Sequence, residues 1–148
     1  MIVSMHINKV RELARATATS TAAPGAYFAR WTSHGTWTQW DQDTEWVRLD
    51  GPVRVGTRGA LKPRRGPKVK FVISACTPDR EYTDTSRLLG ARLVFQHIVM
   101  PSGEGSDLEV LATITGPLAF VWARILGSSF SGSAQTSLDR LVQLVEQP

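Results

Sequence analysis

A chain of 148 residues, 42% apolar and 20% charged, is long enough to bury one core and too apolar for disorder, so a single domain over residues 1–148 is expected. No apolar run approaches the roughly 20 residues of a membrane span, and residues 1–9 lack the continuous apolar segment of a signal peptide, which makes the cytoplasm the expected location. The net charge of +4 is modest, and Cys76, the single cysteine, has no partner for an internal disulfide and no spacing for a structural zinc site.

Residues 8–21, rich in Val, Ala and Thr with interspersed Arg and Glu, read as a strand. Pro24 opens a short helical piece to Thr32, and a second short helix or turn follows over residues 34–43. In that second piece Trp37 and Trp40 lie three apart and share a face that can seat it against a sheet. From Glu45 onward, runs of strand length are separated by turn chemistry at Asp50-Gly51-Pro52, residues 63–67, Pro78-Asp79, Leu89-Gly90 and residues 101–107. The spacing predicts an antiparallel meander of six strands after the first one. Gly116-Pro117 then ends the last strand, and about thirty residues without another proline until Pro148 predict one long closing helix, with Pro117 in its first turn.

Alternation within the strands says which face is wet. The odd positions of 69–75 are all apolar, the odd positions of 93–99 carry the large groups, and Leu108, Val110, Ala112 and Ile114 repeat the pattern in the last strand. One sheet face therefore needs a cover, and the closing helix offers Leu138, Leu141, Val142 and Val145 on one stripe. Carried backward at 100° per residue, that stripe reaches Ala134, Ser131, Gly127, Arg124 and Phe120, so the middle of the covering face is made of small residues. Such a gap over a concave sheet is filled by sheet side chains or by a ligand; alternatively, Gly127-Ser128-Ser129 marks close packing or a bend. Leu118, Trp122 and Ile125 point to the opposite side, which leaves open whether they build a homodimer.

Six of the seventeen basic residues, Arg58, Lys62, Arg64, Arg65, Lys68 and Lys70, fall within residues 58–70 around a hairpin tip. The cluster is either a solvated hairpin or a polyanion-binding site. Nucleic-acid binding is disfavoured because neither exposed aromatics nor a recognition helix accompanies the charge. The sequence has no GxSxG elbow, HExxH pair or P-loop, and nothing in it demands a metal or a nucleotide cofactor.

Ala23-Pro24 before a short helix, Trp37-Thr38-Gln39-Trp40, Leu49-Asp50-Gly51-Pro52 followed by Val55-Gly56-Thr57, and Thr115-Gly116-Pro117-Leu118 opening a long helix together resemble the polyketide cyclase/dehydrase-like branch of the START-like (SRPBCC, helix-grip) superfamily. The resemblance covers residues 8–146 and rests on structural punctuation more than on chemistry. It implies an α+β helix-grip fold, in which a curved seven-stranded antiparallel sheet wraps a long C-terminal helix and two short helices follow the first strand. It also implies a deep apolar pocket between sheet and helix, in which members bind lipids, polyketides or other hydrophobic molecules and some catalyse cyclisation or dehydration.

On that footing the expected pocket walls are Trp40, Phe71 and Phe95, with Tyr82, His97 and Arg124 as polar ligand contacts. His97 stands on the apolar face of its strand, either moving a proton at a ligand carbonyl or sitting as a satisfied core residue. Arg124, on the extrapolated inward stripe, either holds a carboxylate or enolate or snorkels to the rim. Tyr82 and Asp84 share a face of the fifth strand whose direction the pattern does not decide. Three functions follow: binding of a hydrophobic small molecule; a cyclase/dehydratase-type enzyme with His97 and Arg124 as catalytic candidates and no metal or nucleotide; and a polyanion-binding module using hairpin 58–70.

Overall fold

The computed structural model describes residues 10–147, without the side chains of residues 128–131. The predicted start of the first strand at Asn8 and Lys9, and the expected roles of Ser128, Ser129 and Ser131, therefore lie outside the described residues. Seven strands are present: β1 (Arg11–Ser20), β2 (Thr44–Leu49), β3 (Arg58–Pro63), β4 (Val69–Thr77), β5 (Glu81–Leu88), β6 (Ala91–Ser102) and β7 (Gly105–Thr115). Between β1 and β2 come α1 (Pro24–Thr32) and a 3-10 helix (His34–Gln39), and the chain closes with α2 (Ala119–Glu146). The sheet order is β1-β7-β6-β5-β4-β3-β2 with every pairing antiparallel, so six consecutive strands form a meander and β1 joins its far end beside β7.

Two details depart from the expected turns. Pro101 continues β6, and the reversal is confined to Gly103-Glu104, where Gly103 supplies a φ of 59°. Pro117 precedes α2 instead of lying in its first turn, because the chain is first tied to the β5–β6 turn: the Leu118 N–H donates to the Gly90 carbonyl at 2.9 Å.

The alternation in β4, β6 and β7 holds. Phe71, Ile73, Leu93, His97, Val99, Leu108, Ala112 and Ile114 are buried on one face. A bulge between Glu12 and Ala14 lets the consecutive residues Leu13 and Ala14 both be buried. Two buried apolar clusters result among the described residues. One gathers Tyr27, Trp31, Trp37, Trp40, Ile73, Tyr82 and Val99 under Leu138 and Leu141, and the other gathers Leu13, Leu93, Ala112 and Ile114 under Ala119. Half-buried Ala134 touches both.

Helix α2 lies along β1 and reaches β7 and β6. Its inward residues are Ala119, Trp122, Ala123 and Leu126 in the first half and Ala134, Leu138, Leu141 and Val142 in the second. The buried stripe thus moves around the helix by about one residue, roughly 100°, between the halves, as expected where a long helix crosses a twisted sheet. Extrapolating one straight stripe consequently misplaces the early residues. Phe120 and Arg124, expected inside, are exposed, while Trp122, expected outside, is half-buried with its indole N–H donating to the Leu89 carbonyl at 2.8 Å.

Polar bonds fasten α2 to the rest. The Gln135 amide bridges the open edge of β1, its oxygen accepting from the Thr17 N–H at 3.2 Å and its nitrogen donating to the Thr17 carbonyl at 2.9 Å. Glu146 accepts from the Thr21 N–H and the Ser20 hydroxyl, both at 2.9 Å, and these bonds hold its carboxyl below the usual range. Asp41, whose pKa is pushed up by burial, accepts from Thr44 at 2.8 Å and from Ser137 of the helix at 3.4 Å. No helix among the described residues is long and apolar enough to cross a membrane.

Candidate functional site

The polar groups inside the fold come from β5 and β6, and register brings them together. Tyr82 pairs with His97, Asp84 with Phe95 and Ser86 with Leu93, while on the other side Ile73 pairs with Asp84 and Phe71 with Ser86. Tyr82, Asp84, Ser86 and His97 are all buried. Thr83, on the other row, is buried too, so it is the register with Ile73, Phe95 and His97 that turns Tyr82 and Asp84 inward and settles the direction their strand's pattern leaves open. The opposite row of β5 is polar too: Thr83 donates to Glu81 at 2.7 Å and Thr85 to Ser74 at 2.9 Å.

Asp84 sits between two apolar neighbours, Ile73 and Phe95, and burial pushes its pKa up to about 7, an effect the nearby Tyr82 hydroxyl partly offsets. At neutral pH its carboxyl is divided between acid and carboxylate, able to donate a proton or to accept one. Burial, then the Asp84 charge, raises the Tyr82 phenol and keeps it protonated. Tyr82 hydrogen-bonds His34 Nε2 at 2.8 Å. The phenol thus has the His34 ring as its hydrogen-bond partner, with the Asp84 charge close enough to raise its pKa further.

His97 is held neutral by burial, its pKa lowered to about 4. Its Nδ1 lies 3.0 Å from the Tyr82 carbonyl, which can only accept, so Nδ1 carries the proton and Nε2 is left as an acceptor. Burial lowers the His34 pKa as well. Its ring is stacked between Trp37, with centroids 4.9 Å apart, and Phe71 at 6.0 Å. Phe71 gains its place from Gly59 on the neighbouring strand, where a Cβ would overlap the Phe71 ring and the Arg48 carbonyl.

Aromatic rings complete the walls. Trp31 lies 5.3 Å from His97, and Trp37 meets Tyr82 edge-on at 6.0 Å and packs on Trp40 at 5.7 Å. Trp37 donates its indole N–H to the Trp31 carbonyl at 3.1 Å. The indole nitrogens of Trp31 and Trp40 are buried and have no hydrogen-bond partner among the described residues. Two buried donors without acceptors are costly in an apolar interior, and they are where an acceptor on a bound molecule is worth most.

Of the residues singled out from sequence, the structure brings Trp40, Phe71, Tyr82, Phe95 and His97 to this interior, Phe95 being half-buried. Arg124 is exposed on the outer side of α2, so the pairing of His97 with Arg124 in one site is not formed. Sequence reasoning missed His34 and Trp31. The signal for His34 was its spacing three residues before Trp37, which puts both rings on one side of a tight helix. Among the described residues no group of three or more His, Cys, Asp or Glu side chains is placed to hold a metal ion. Cys76 is half-buried, and burial raises its thiol pKa.

The basic hairpin is solvent-facing. Arg58, Arg64, Arg65, Lys68 and Lys70 are exposed, while half-buried Lys62 pairs with Glu45 at 3.4 Å. Concave surfaces of about 400 and 450 Å³ lie away from the aromatic interior. The first is a groove lined by Thr17, Ile98, Met100 and Glu109, and the second is a corner lined by Arg87, Gly90, Arg92 and Pro117.

No family profile matches the sequence, and comparison with curated proteins finds no match. Solved structures are similar over nearly the whole chain. Norcoclaurine synthase from Thalictrum flavum in complex with dopamine and hydroxybenzaldehyde superimposes with a TM-score of 0.70 at 13% identity, covering 100% of this chain and 94% of that one. Ara h 8.0201 gives a TM-score of 0.66 at 15% identity over 93% of this chain and 98% of that one. TTHA0849 from Thermus thermophilus gives 0.70 at 15% identity over 91% and 97%. At these identities the likeness is one of fold alone: the chain has a helix-grip fold, a curved seven-stranded antiparallel sheet with a long C-terminal helix.

Proposed function

We propose that this protein binds an apolar small molecule with a hydrogen-bonding end, enclosed between the concave sheet and α2. The observation that carries the reading is the buried polar set in an aromatic wall: Asp84 between Ile73 and Phe95, with the unpartnered indole donors of Trp31 and Trp40 in the same interior. A purely structural core gains nothing from an acid and two orphan donors, whereas a ligand carbonyl or hydroxyl gives them partners. The test is native mass spectrometry of protein purified without detergent, followed by denaturing extraction, with a tryptophan-quenching screen of fatty acids, sterols and phenolic polyketides. A stoichiometric apolar compound, or saturable quenching that weakens in the Asp84→Asn variant, supports the reading. An empty protein that quenches with none of them refutes it.

A second reading, an enzyme of the cyclase/dehydratase type, is favoured by the buried neighbours Asp84 and Tyr82 and the Tyr82–His34 hydrogen bond. With Arg124 outside, the acid that polarises a keto oxygen in this reading is Asp84 or Tyr82, and His97 Nε2 is the base that takes the α-proton. The ligand is then a substrate, and Asp84→Asn removes turnover by at least about a hundredfold while changing affinity little. Equal loss of affinity and turnover would leave only the binding role.

A further inference from the structure

The end of the fold where α2 begins combines exposed apolar groups with unopposed positive charge. The inward residues of the first helical turns, Ala119, Trp122 and Leu126, leave Phe120, Val121, Arg124 and Ile125 on the outer side; Phe120 is 53% exposed and Ile125 58%. The β5–β6 turn lies against this helix start, through the Leu118 bond to Gly90 and the Trp122 bond to Leu89, and presents Leu89 at 79% exposure. Leu118 itself is exposed and seated on Gly90. Arg87 and Arg92, paired across β5 and β6, are exposed beside the same turn and line its 450 Å³ corner. Because Phe71 pairs with Ser86, the start of β4 also lies at this end, bringing exposed Lys70 and hairpin residues Arg64, Arg65 and Lys68 to its flank.

Residues 87–92 and 115–125, which build the corner and the helix start, contain no aspartate or glutamate, and Glu12, opposite Thr113 on β1, is paired with Arg15. No ion pair to Arg87, Arg92 or Arg124 occurs among the described residues. Five large apolar side chains ringed by unpaired arginines match a surface that is apolar below and anionic above. A second copy of the chain does not match, since a two-fold contact through this face would set its arginines against their own counterparts.

We propose that this end docks on an anionic lipid bilayer, with Leu89, Phe120, Val121 and Ile125 entering the interface and Arg87, Arg92 and Arg124 on the phosphates. The inference stands independently of the ligand-binding reading. The test is sedimentation of the full chain with vesicles of phosphatidylcholine plus phosphatidylglycerol, and with phosphatidylcholine alone, at low and high salt. Partition is expected to the anionic vesicles and to weaken with salt. Each arginine changed to glutamine is expected to weaken it about fivefold, and Phe120→Glu with Ile125→Glu on the order of tenfold or more. These side chains are exposed, so the variants are expected to keep the wild-type melting temperature. No partition to anionic vesicles at low salt overturns the proposal. So does partition that Arg64→Gln with Arg65→Gln abolishes while Phe120→Glu with Ile125→Glu leaves it intact, since the hairpin alone would then be reading charge. A dimer in sedimentation equilibrium that Ile125→Glu dissolves also overturns it and names a second copy as the occupant.

Discussion

Replacing Asp84 with asparagine isolates the most perturbed acid in the interior. Its pKa rises from 3.8 to about 7, so the folded state holds this proton more tightly than the unfolded chain does. The stabilising contribution is complete below 3.8 and is lost as the pH rises through about 7. Between about pH 5 and about pH 8 this removes roughly 3 kcal/mol. His97 acts in the opposite sense: its folded value of about 4 lies below the ordinary 6.5, so proton uptake favours the unfolded chain and stability climbs over that window. That returns roughly 2 kcal/mol between about pH 5 and about pH 8, and His34 adds in the same direction. The wild-type profile is therefore nearly flat by cancellation, and only the difference between variant and wild type exposes the acid.

Asparagine keeps the size and is neutral at every pH. Asp84→Asn is expected to match the wild type below about pH 4 and to gain on it by roughly 3 kcal/mol more between about pH 5 and about pH 8. The assay is urea unfolding followed by the fluorescence of the five tryptophans, with m-values checked for constancy. A variant-minus-wild-type difference that does not change with pH would refute the buried-acid argument, and a difference of reversed sign would mean that Asp84 is paired and ionised in the folded state.

Tyr82→Phe leaves His34 Nε2 without its 2.8 Å partner and is expected to cost roughly 1–3 kcal/mol in urea melts and to shift the Asp84 titration upward, which carboxyl-resolved NMR would follow. Gly59→Ala drives a methyl into the Phe71 ring and is expected to destabilise by about 1–3 kcal/mol. Pairing it with Phe71→Leu should recover part of that loss, and strict additivity of the two changes would contradict the close packing. Leu141→Ala empties a fully buried position where α2 meets the aromatic cluster, and a loss of about 3 kcal/mol is expected by the same melts.

The sheet was legible because β4, β6 and β7 alternate cleanly, and the same alternation placed Phe71, Phe95 and His97 on the inner face. Strand β5 was not legible. Both of its rows are polar, Tyr82-Asp84-Ser86 on the inner face and Thr83-Thr85 on the other, and Thr83 is as buried as Asp84, so neither hydropathy nor burial orients the strand and only its register with Ile73 and Phe95 does. Arg124 was misplaced for a different reason. A stripe anchored at Leu138 was carried back along the helix at a fixed 100°, and the twist of the sheet beneath rotated the true contact line away from it. For His34 only the spacing to Trp37 is local; its stack on Phe71, a residue remote in sequence, is reported by no local pattern.

The Gln135 amide that bridges Thr17 has a further consequence. A strand at the end of a sheet offers its backbone to any passing chain, and here a helical side chain occupies both groups as a short mimic of an eighth strand. Any loosening of the helix that admits a guest beneath it would unseat this plug and present a ready template for fibril-like growth. The opened form is then the aggregation-prone one, and the closed form, with Gln135 seated on Thr17, shields the edge.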